Sequence, residues 1–146
     1  RLYYTSFRNN AFDTHVHQAD PHARLLAYTA DAVRGFVEDL KRIGRASDVA
    51  IMMFTEFGRR VHDNGSGTDH GAGGAAFVIG DAVNGGQYSE YPSLESNQLE
   101  QGDVVPNHDF RSIYSTIAER WLGADPVSVA NGQYDQLDFI FETNGN

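Results

Sequence analysis

The chain has no cysteine, which excludes disulfides, thiolate zinc sites and cysteine nucleophiles. It has only 11 lysines and arginines against 20 aspartates and glutamates, and its net charge is −9. This charge disfavours binding to nucleic acid, because the electrostatic contribution from the phosphates would be repulsive. The sequence also lacks an apolar run of about 18 residues, so we expect no membrane span. Its clustered carboxylates are better suited to holding cations.

The sequence does contain enough apolar material for one folded domain. Its 146 residues are 40% hydrophobic and include nine phenylalanines and seven tyrosines. A chain of this length and composition is expected to fold around a core. Because the sequence begins with Arg1 and not with methionine, we expect residues 1–146 to be a single domain taken from a longer protein.

Local patterns in the first third predict a strand, a helix and another strand in succession. Residues 2–7 are rich in aromatic residues, which favours a strand. Apolar residues recur at helical spacing from Leu25 to Ile43 and predict an amphipathic helix over about 21–43. Residues 49–55 are apolar on both faces, as in a buried parallel strand. This order predicts a βαβ unit in an α/β domain, with a mostly parallel sheet flanked by helices.

The rest of the chain predicts three more elements. Residues 75–80 are a second apolar run, and the glycine-rich segment 57–74 before it contains no crossover helix. The run should therefore return antiparallel to the strand at 49–55. Helical spacing of apolar residues predicts a second helix over about 110–122, and the short segment 136–141 is a candidate last strand.

Polar side chains lie next to the ends of the predicted strands. If the first two strands are parallel neighbours, the residues after each meet at one edge of the sheet, and an antiparallel third strand begins there. The residues placed at this edge are Asp13, His15, His17, Glu56, Arg59, Asp69 and His70.

Imidazole and carboxylate together are the ligands that zinc, manganese or iron take in a cysteine-free site, whereas calcium or magnesium would use mainly oxygen ligands. Each short motif alone is typical of a solvated loop. Their convergence at one edge favours a divalent-metal site formed by Asp13, His15, His17, Asp69 and His70.

Glu56 and Arg59 are the candidate catalytic residues. Glu56 directly follows a predicted strand, where a carboxylate can act as a base, cap the next turn or pair with Arg59 or Arg60. The planar guanidinium of Arg59 is suited to bidentate contact with phosphate or sulfate. A metal beside an arginine would make a site for a tetrahedral anion.

Four segments, in this order, resemble the carboxyl-terminal half of a bacterial family. They are FDTHVHQ, FTEFGRRVHDNGSGTDHGAGGAAFVIG, GGQYSEYPSL and DFRSIYSTIAERWLGAD, and together they extend over nearly the whole chain. The family they resemble is domain of unknown function 1501, a sulfatase-like group placed in the alkaline phosphatase superfamily.

The resemblance implies an α/β fold with two metals at the carboxyl edge of its sheet. It places Asp13 with His15 or His17 in one metal-binding motif and His70, with Asp69, in the position of the final ligand histidine. Glu56 and Phe57 stand where the superfamily has Asp and His. The catalytic nucleophile of the superfamily lies in an amino-terminal half, upstream of the residues in this chain. The resemblance also implies export to the periplasm or the cell exterior.

Two hypotheses follow for function. In the first, the chain is the carboxyl-terminal part of a metal-dependent hydrolase for a sulfate or phosphate ester, and the amino-terminal half of the parent protein or another chain covers its sheet edge. In the second, it is a non-catalytic extracellular binding or assembly protein that keeps the fold. A cytoplasmic nucleotide-binding domain is disfavoured, because no Gly-x-Gly-x-x-Gly pattern follows the first predicted strand.

Overall fold

A computed structural model describes residues 1–141. The helices and strands of this part, in chain order, are α1 (Ala19–Arg42), β1 (Ile51–Met53), β2 (Gly58–Asp63), β3 (Thr68–Gly71), β4 (Phe77–Ile79), α2 (Phe110–Thr116), a π-helical turn (Ile117–Trp121) and α3 (Pro126–Ala130). No helix within residues 1–141 has both the length and the apolar character needed to cross a membrane.

Helix α1 confirms the predicted amphipathic helix, with its start two residues earlier and its end one residue earlier than expected. Asp20 lies in its first turn and Lys41 and Arg42 in its last, where each charge is favourable to the helix dipole. The helix stops before Gly44, whose φ of 69° is left-handed. None of its residues is buried within the described part of the chain.

The strands within residues 1–141 form two separate antiparallel pairs, β1 with β4 and β2 with β3. The prediction of a mostly parallel sheet flanked by helices is therefore wrong. The prediction that the run at 75–80 returns antiparallel to the run at 49–55 is confirmed, since Ile51 pairs with Ile79 and Met53 with Phe77.

The parallel sheet fails because the first predicted strand does not pair. Residues 2–7 are irregular, and Leu2, Tyr3 and Tyr4 are exposed. Further on, Asn9 and Asn10 take left-handed backbone angles, and the chain turns toward the β2–β3 hairpin instead of running beside β1. Strand order along a sequence does not show which strand edges form hydrogen bonds, and here β1 pairs with β4.

The predicted glycine-rich loop contains a hairpin of its own. Strands β2 and β3 pair through Gly58 with Gly71 and Arg59 with His70, and the register is irregular between Arg59 and Asp63. The turn that joins them is Asn64–Gly67, in which the Asn64 side-chain oxygen accepts hydrogen bonds from the backbone N–H groups of Ser66 and Gly67. An asparagine side chain that accepts hydrogen bonds from the backbone of its own turn commonly stabilises such turns.

The buried apolar side chains lie in the last part of the described chain. Ala118, Ala130, Phe139 and Ile140 are its buried apolar residues. Helix α2 is capped by Asp109, and the predicted second helix is confirmed, although its last turn is π-helical. The strand expected at 136–141 is absent from this part of the structure; Ile140 makes only a single bridge to Val83.

Candidate metal-binding site

Asp13, His15 and His70 form one cluster in which each residue offers a ligand atom. These three atoms all lie within 4.8 Å of one another. The Asp13 Oδ1 atom is 2.7 Å from His70 Nε2 and 3.0 Å from His15 Nε2. The two imidazole rings have centroids 4.7 Å apart. The cluster therefore joins two distant segments of the chain, since His70 lies 57 residues beyond Asp13 in the sequence.

Arg59 holds the first of these segments against the hairpin. Its Nη1 donates to the backbone oxygens of Thr14 and Thr68, and its Nη2 donates to that of Phe12, each at 2.7 Å. The bonds to Phe12 and Thr14 fix the backbone on both sides of Asp13. Arg59 also lies opposite His70, a histidine of the cluster, in the pairing of β2 with β3. The guanidinium thus has a clear structural role.

Gln18 is a second clamp between the segments, and the sequence analysis did not identify it. Its backbone N–H donates to the Ser66 oxygen at 3.0 Å, and its side-chain oxygen accepts from the Thr68 hydroxyl at 3.0 Å. Its amide nitrogen donates to the Thr14 oxygen at 2.8 Å. No feature of the sequence separates Gln18 from other polar residues at a helix start.

Asn64 is another residue that the sequence analysis missed. Besides capping its own turn, it donates from Nδ2 to Asp69 Oδ1 at 3.1 Å and to the His15 backbone oxygen at 3.2 Å. The Asn-Gly dipeptide at 64–65 is a recognisable turn signal, although it does not indicate these contacts. The turn of the hairpin is thereby tied to the histidine segment.

The backbone of the hairpin comes very close to the segment that follows it. A Cβ atom on Gly58 would stand 1.7 Å from the Gly73 oxygen, and one on Gly71 would stand 2.6 Å from the Arg59 carbonyl carbon. Only glycine fits at such approaches. Gly58 and Gly71 therefore allow close backbone packing in the hairpin that carries His70.

Both carboxylates of the site are held in the charged form. Hydrogen bonds from His70, and then from His15, lower the pKa of Asp13. Hydrogen bonds from Asn64, and then from His15, lower the pKa of Asp69. A charged carboxylate is the form that binds a cation.

Phe57 covers one face of His70. Their ring centroids are 3.6 Å apart and the planes are tilted by only 14°. The Arg59 guanidinium carbon lies 5.1 Å from the centroid of the same phenyl ring. An aromatic side chain thus restrains a cluster histidine without offering a ligand atom.

The other predicted site residues lie around this group. His17 is exposed and has a φ of 49°. Its backbone N–H donates to Ser66 Oγ, and its ring is not among the converging ligand atoms. Glu56 is exposed and also outside that group. Asp69 contacts His15 Nδ1 at 3.3 Å. Their catalytic or ligand roles, and the anion contact of Arg59, stay predictions. An anion that bound Arg59 would have to share the guanidinium with the three backbone oxygens that it contacts, or displace them.

The cluster lies on an open surface of the described chain. The side chains of Asp13, His15 and His70 keep 32%, 40% and 42% of their exposure. Two surface grooves in residues 1–141 lie elsewhere, one lined by Tyr91, Gln98 and Asn107 and the other by Ala72, Glu100 and Val104.

The donor set fits a divalent metal. Two ligand atoms of a tetrahedral zinc ion stand about 3.3 Å apart, given zinc–ligand distances near 2.0 Å. The two Asp13 contacts are slightly shorter than this, so small side-chain movements would make room for an ion. Two imidazoles with one carboxylate favour zinc or manganese over calcium, which prefers six to eight oxygens.

Comparison with known proteins supports the family resemblance. Searches of curated proteins and of solved structures found no match. A family model described as "Protein of unknown function (DUF1501)" matches residues 2–132, which is most of the chain and includes every residue of the cluster. The family description gives no activity and does not bear on the sulfatase-like link. The chain therefore belongs to the DUF1501 family.

Proposed function

We propose that this chain carries the metal-binding part of a hydrolytic site for a sulfate or phosphate ester. The observation that carries the proposal is the convergence of Asp13, His15 and His70 from two distant segments. Three protein ligands with an open side are typical of catalytic metal sites, whereas structural zinc sites are closed by four. The partial exposure of all three side chains leaves such an open side.

Asp13, His15 and His70 are the residues that would hold the ion. A divalent cation bound there would act as a Lewis acid toward an ester oxygen. Asp13 supplies negative charge, and its low pKa keeps that charge over the neutral pH range. Phe57 and Arg59 restrain the cluster, the first by stacking on His70 and the second by fixing the backbone around Asp13.

A complete hydrolase would need further polypeptide, either another part of the parent protein or another chain. The open position of the cluster supports this. Helix α1 supports it independently, since none of its residues is buried and Leu26 and Phe36 are each at least half exposed. An amphipathic helix whose apolar face is not buried is expected to pack against further polypeptide. That polypeptide would also have to bring a nucleophile or base that the cluster does not contain.

A non-catalytic binding protein is the second candidate. Phe57 stacks on His70 where a further ligand or acid–base group could otherwise stand, and this specific observation favours binding without chemistry. In that case the cluster would hold a metal ion and an anion bound to that ion, without turnover.

The first test is metal binding by the chain itself. Zinc titration followed by calorimetry and elemental analysis should give one ion per chain, and His70→Ala should abolish it. At free zinc of about 100 Kd, binding only to the folded state adds about 2.7 kcal/mol to stability, so the melting temperature should rise and chelator should reverse it. His62→Ala is the matched control, since His62 lies in the same hairpin but outside the cluster. Absence of stoichiometric zinc in the wild type would reject both candidates.

The second test separates the candidates. The zinc-loaded chain, together with the further polypeptide that a complete hydrolase would need, is mixed with inorganic phosphate or sulfate and then with the 4-nitrophenyl esters of both. Zinc-dependent release of nitrophenol that is lost in His70→Ala supports the hydrolase. Zinc-dependent anion binding without release supports the binding protein.

A further inference from the structure

The carboxylate of Asp69 lies behind His15, on the side of the ring away from Asp13. Its Oδ1 atom is 3.3 Å from His15 Nδ1, whereas His15 Nε2 is 3.0 Å from Asp13 Oδ1. Asp69 is not among the three residues whose ligand atoms converge. The two nitrogens of one imidazole therefore face two different carboxylates.

Asp69 is itself held in place by Asn64. The Asn64 Nδ2 atom donates to Asp69 Oδ1 at 3.1 Å and also to the His15 backbone oxygen at 3.2 Å. One amide group thus ties the carboxylate to the backbone of the histidine that it contacts. Rotation of either side chain would break part of this arrangement.

The hydrogen-bonding chemistry of these groups sets the position of a proton. A carboxylate only accepts hydrogen bonds, so a ring nitrogen that bonds to Asp69 must carry its hydrogen. A neutral imidazole has one N–H, and a hydrogen on Nδ1 leaves the lone pair on Nε2. That lone pair points into the cluster, toward Asp13.

We propose that Asp69, braced by Asn64, is a positioning residue that holds His15 in the Nδ1–H tautomer and so presents Nε2 as a metal ligand. Asp69 acts through His15 and is not itself a ligand. Metal-binding histidines commonly donate their second nitrogen to a carboxylate, and loss of such a partner costs about 10- to 100-fold in metal affinity. The inference rests on the proposed metal site, and its claim about the tautomer applies to His15 when an ion is bound.

Asp13 also lies within hydrogen-bonding distance of His15. Its Oδ1 atom is 3.0 Å from His15 Nε2, and the Asp69 Oδ1 atom is 3.3 Å from His15 Nδ1, so the two carboxylates compete for the His15 hydrogen when no ion is bound. An ion held by Asp13 and His15 would take the lone pair of Nε2, and the hydrogen would then lie on Nδ1, facing Asp69. The contribution of Asp69 is therefore expected in the ion-bound protein.

The tautomer is read by long-range ¹H–¹⁵N NMR of His15 in the zinc-loaded protein. The wild type should show a hydrogen on Nδ1, and in Asp69→Ala this hydrogen should change its chemical shift and exchange faster with water, because its acceptor is gone. The same Nδ1–H signal and exchange rate in both proteins would overturn the inference. Zinc binding by the wild type is measured first, so failure of the proposed function is distinguished from failure of this inference.

Zinc titration tests the consequence for affinity. Asp69→Ala should raise the zinc Kd by about 10- to 100-fold. Asp69→Asn keeps a neutral oxygen acceptor, so its zinc affinity should lie between those of the wild type and Asp69→Ala. This variant replaces Asp69→Ala in the titration if the alanine protein does not fold. Equal Kd values for the wild type and a folded Asp69→Ala protein would overturn the inference.

Asp63→Ala is the matched control for a merely structural effect. Asp63 is a carboxylate of the same hairpin, but it bonds to the backbone of its own turn at Gly65 and not to a histidine. Its loss should lower the melting temperature while the zinc Kd and the His15 tautomer stay unchanged. If Asp63→Ala weakened zinc binding as much as Asp69→Ala, hairpin stability alone would explain both, and the inference would be wrong.

Discussion

The phenyl ring of Phe57 stacks on the imidazole of His70 at a centroid distance of 3.6 Å. Phe57 directly precedes β2, and His70 lies in β3, so this contact links the entry of the hairpin to the histidine on its opposite strand. A stacked ring limits rotation of the imidazole about its side-chain bonds. The cluster geometry therefore depends on a residue that has no ligand atom.

Replacing Phe57 should weaken metal binding without removing a ligand. Aromatic pairs contribute about 0.5–1.5 kcal/mol beyond area burial, so Phe57→Ala should raise the zinc Kd by roughly 2- to 12-fold. Calorimetric titration measures this change. Tyr91→Ala, which removes an exposed ring outside the cluster, is the control and should leave the Kd unchanged. An unchanged Kd in Phe57→Ala would show that stacking does not restrain His70.

Replacing Arg59 should destabilise the join between the histidine segment and the hairpin. A lysine cannot make the three backbone bonds that the forked guanidinium makes. Each bond from a charged donor contributes about 1.5–3 kcal/mol, so Arg59→Lys should lower the free energy of unfolding by at least that amount. Urea unfolding monitored by circular dichroism measures the loss.

Arg60→Lys is the control for Arg59. Arg60 is the next residue in β2, and its side chain pairs with Asp103 at the surface. A surface pair contributes under about 1 kcal/mol, so this change should be small. Similar losses in the two variants would contradict the clamping role of Arg59.

Local features of the structure could be predicted from the sequence. Helix α1 follows from apolar residues at helical spacing, which depend only on neighbours along the chain. The antiparallel return of β4 on β1 follows from the absence of a crossover helix between them. The parallel sheet was wrong because it required residues 2–7 to pair with a strand far away in sequence, and no local pattern shows such pairing.

The candidate site illustrates the same limit in another way. Asp13, His15 and His70 were expected together because they would share one edge of a parallel sheet. The structure brings them together by another route, in which Arg59 and Gln18 clamp the histidine segment to the hairpin. Those clamps depend on backbone oxygens whose positions follow from the folded chain, so residue types alone do not reveal them.

Two glycine-to-alanine changes should have opposite effects. A Cβ on Gly58 would stand 1.7 Å from the Gly73 oxygen, so Gly58→Ala must push backbone apart, at a cost of at least about 1–3 kcal/mol, and should also weaken zinc binding. Gly35 lies inside α1 with no atom within 4 Å of the added carbon. Gly35→Ala should therefore stabilise the protein by about 0.5–1 kcal/mol. Thermal unfolding compares the two, and destabilisation by both would contradict this account of the hairpin.

Asp109 should make the stability of the protein depend on pH in the acid range. Hydrogen bonds from the Arg111 side chain, and then from its backbone N–H, lower the pKa of Asp109 from 3.8 to about 2 in the folded chain. A carboxyl whose pKa is lower in the folded state contributes stability above its unfolded pKa and loses that contribution as the pH falls through its folded pKa. The contribution of Asp109 should thus be complete well above pH 3.8, shrink as the pH falls below 3.8 and disappear as the pH falls through about 2.

Asp109→Asn tests this directly, since asparagine still caps α2 but carries no charge. The melting temperature of the wild type should exceed that of the variant at pH 5 to 7, and the difference should shrink as the pH falls from about 4 to 2. Other carboxyls titrate in the same range, but they are common to both proteins and cancel in the difference. In an Arg111→Gln background the same substitution should have a smaller effect, because the main cause of the low pKa is gone. A difference that stays constant from pH 7 to pH 2 would mean that Asp109 acts only as a neutral cap.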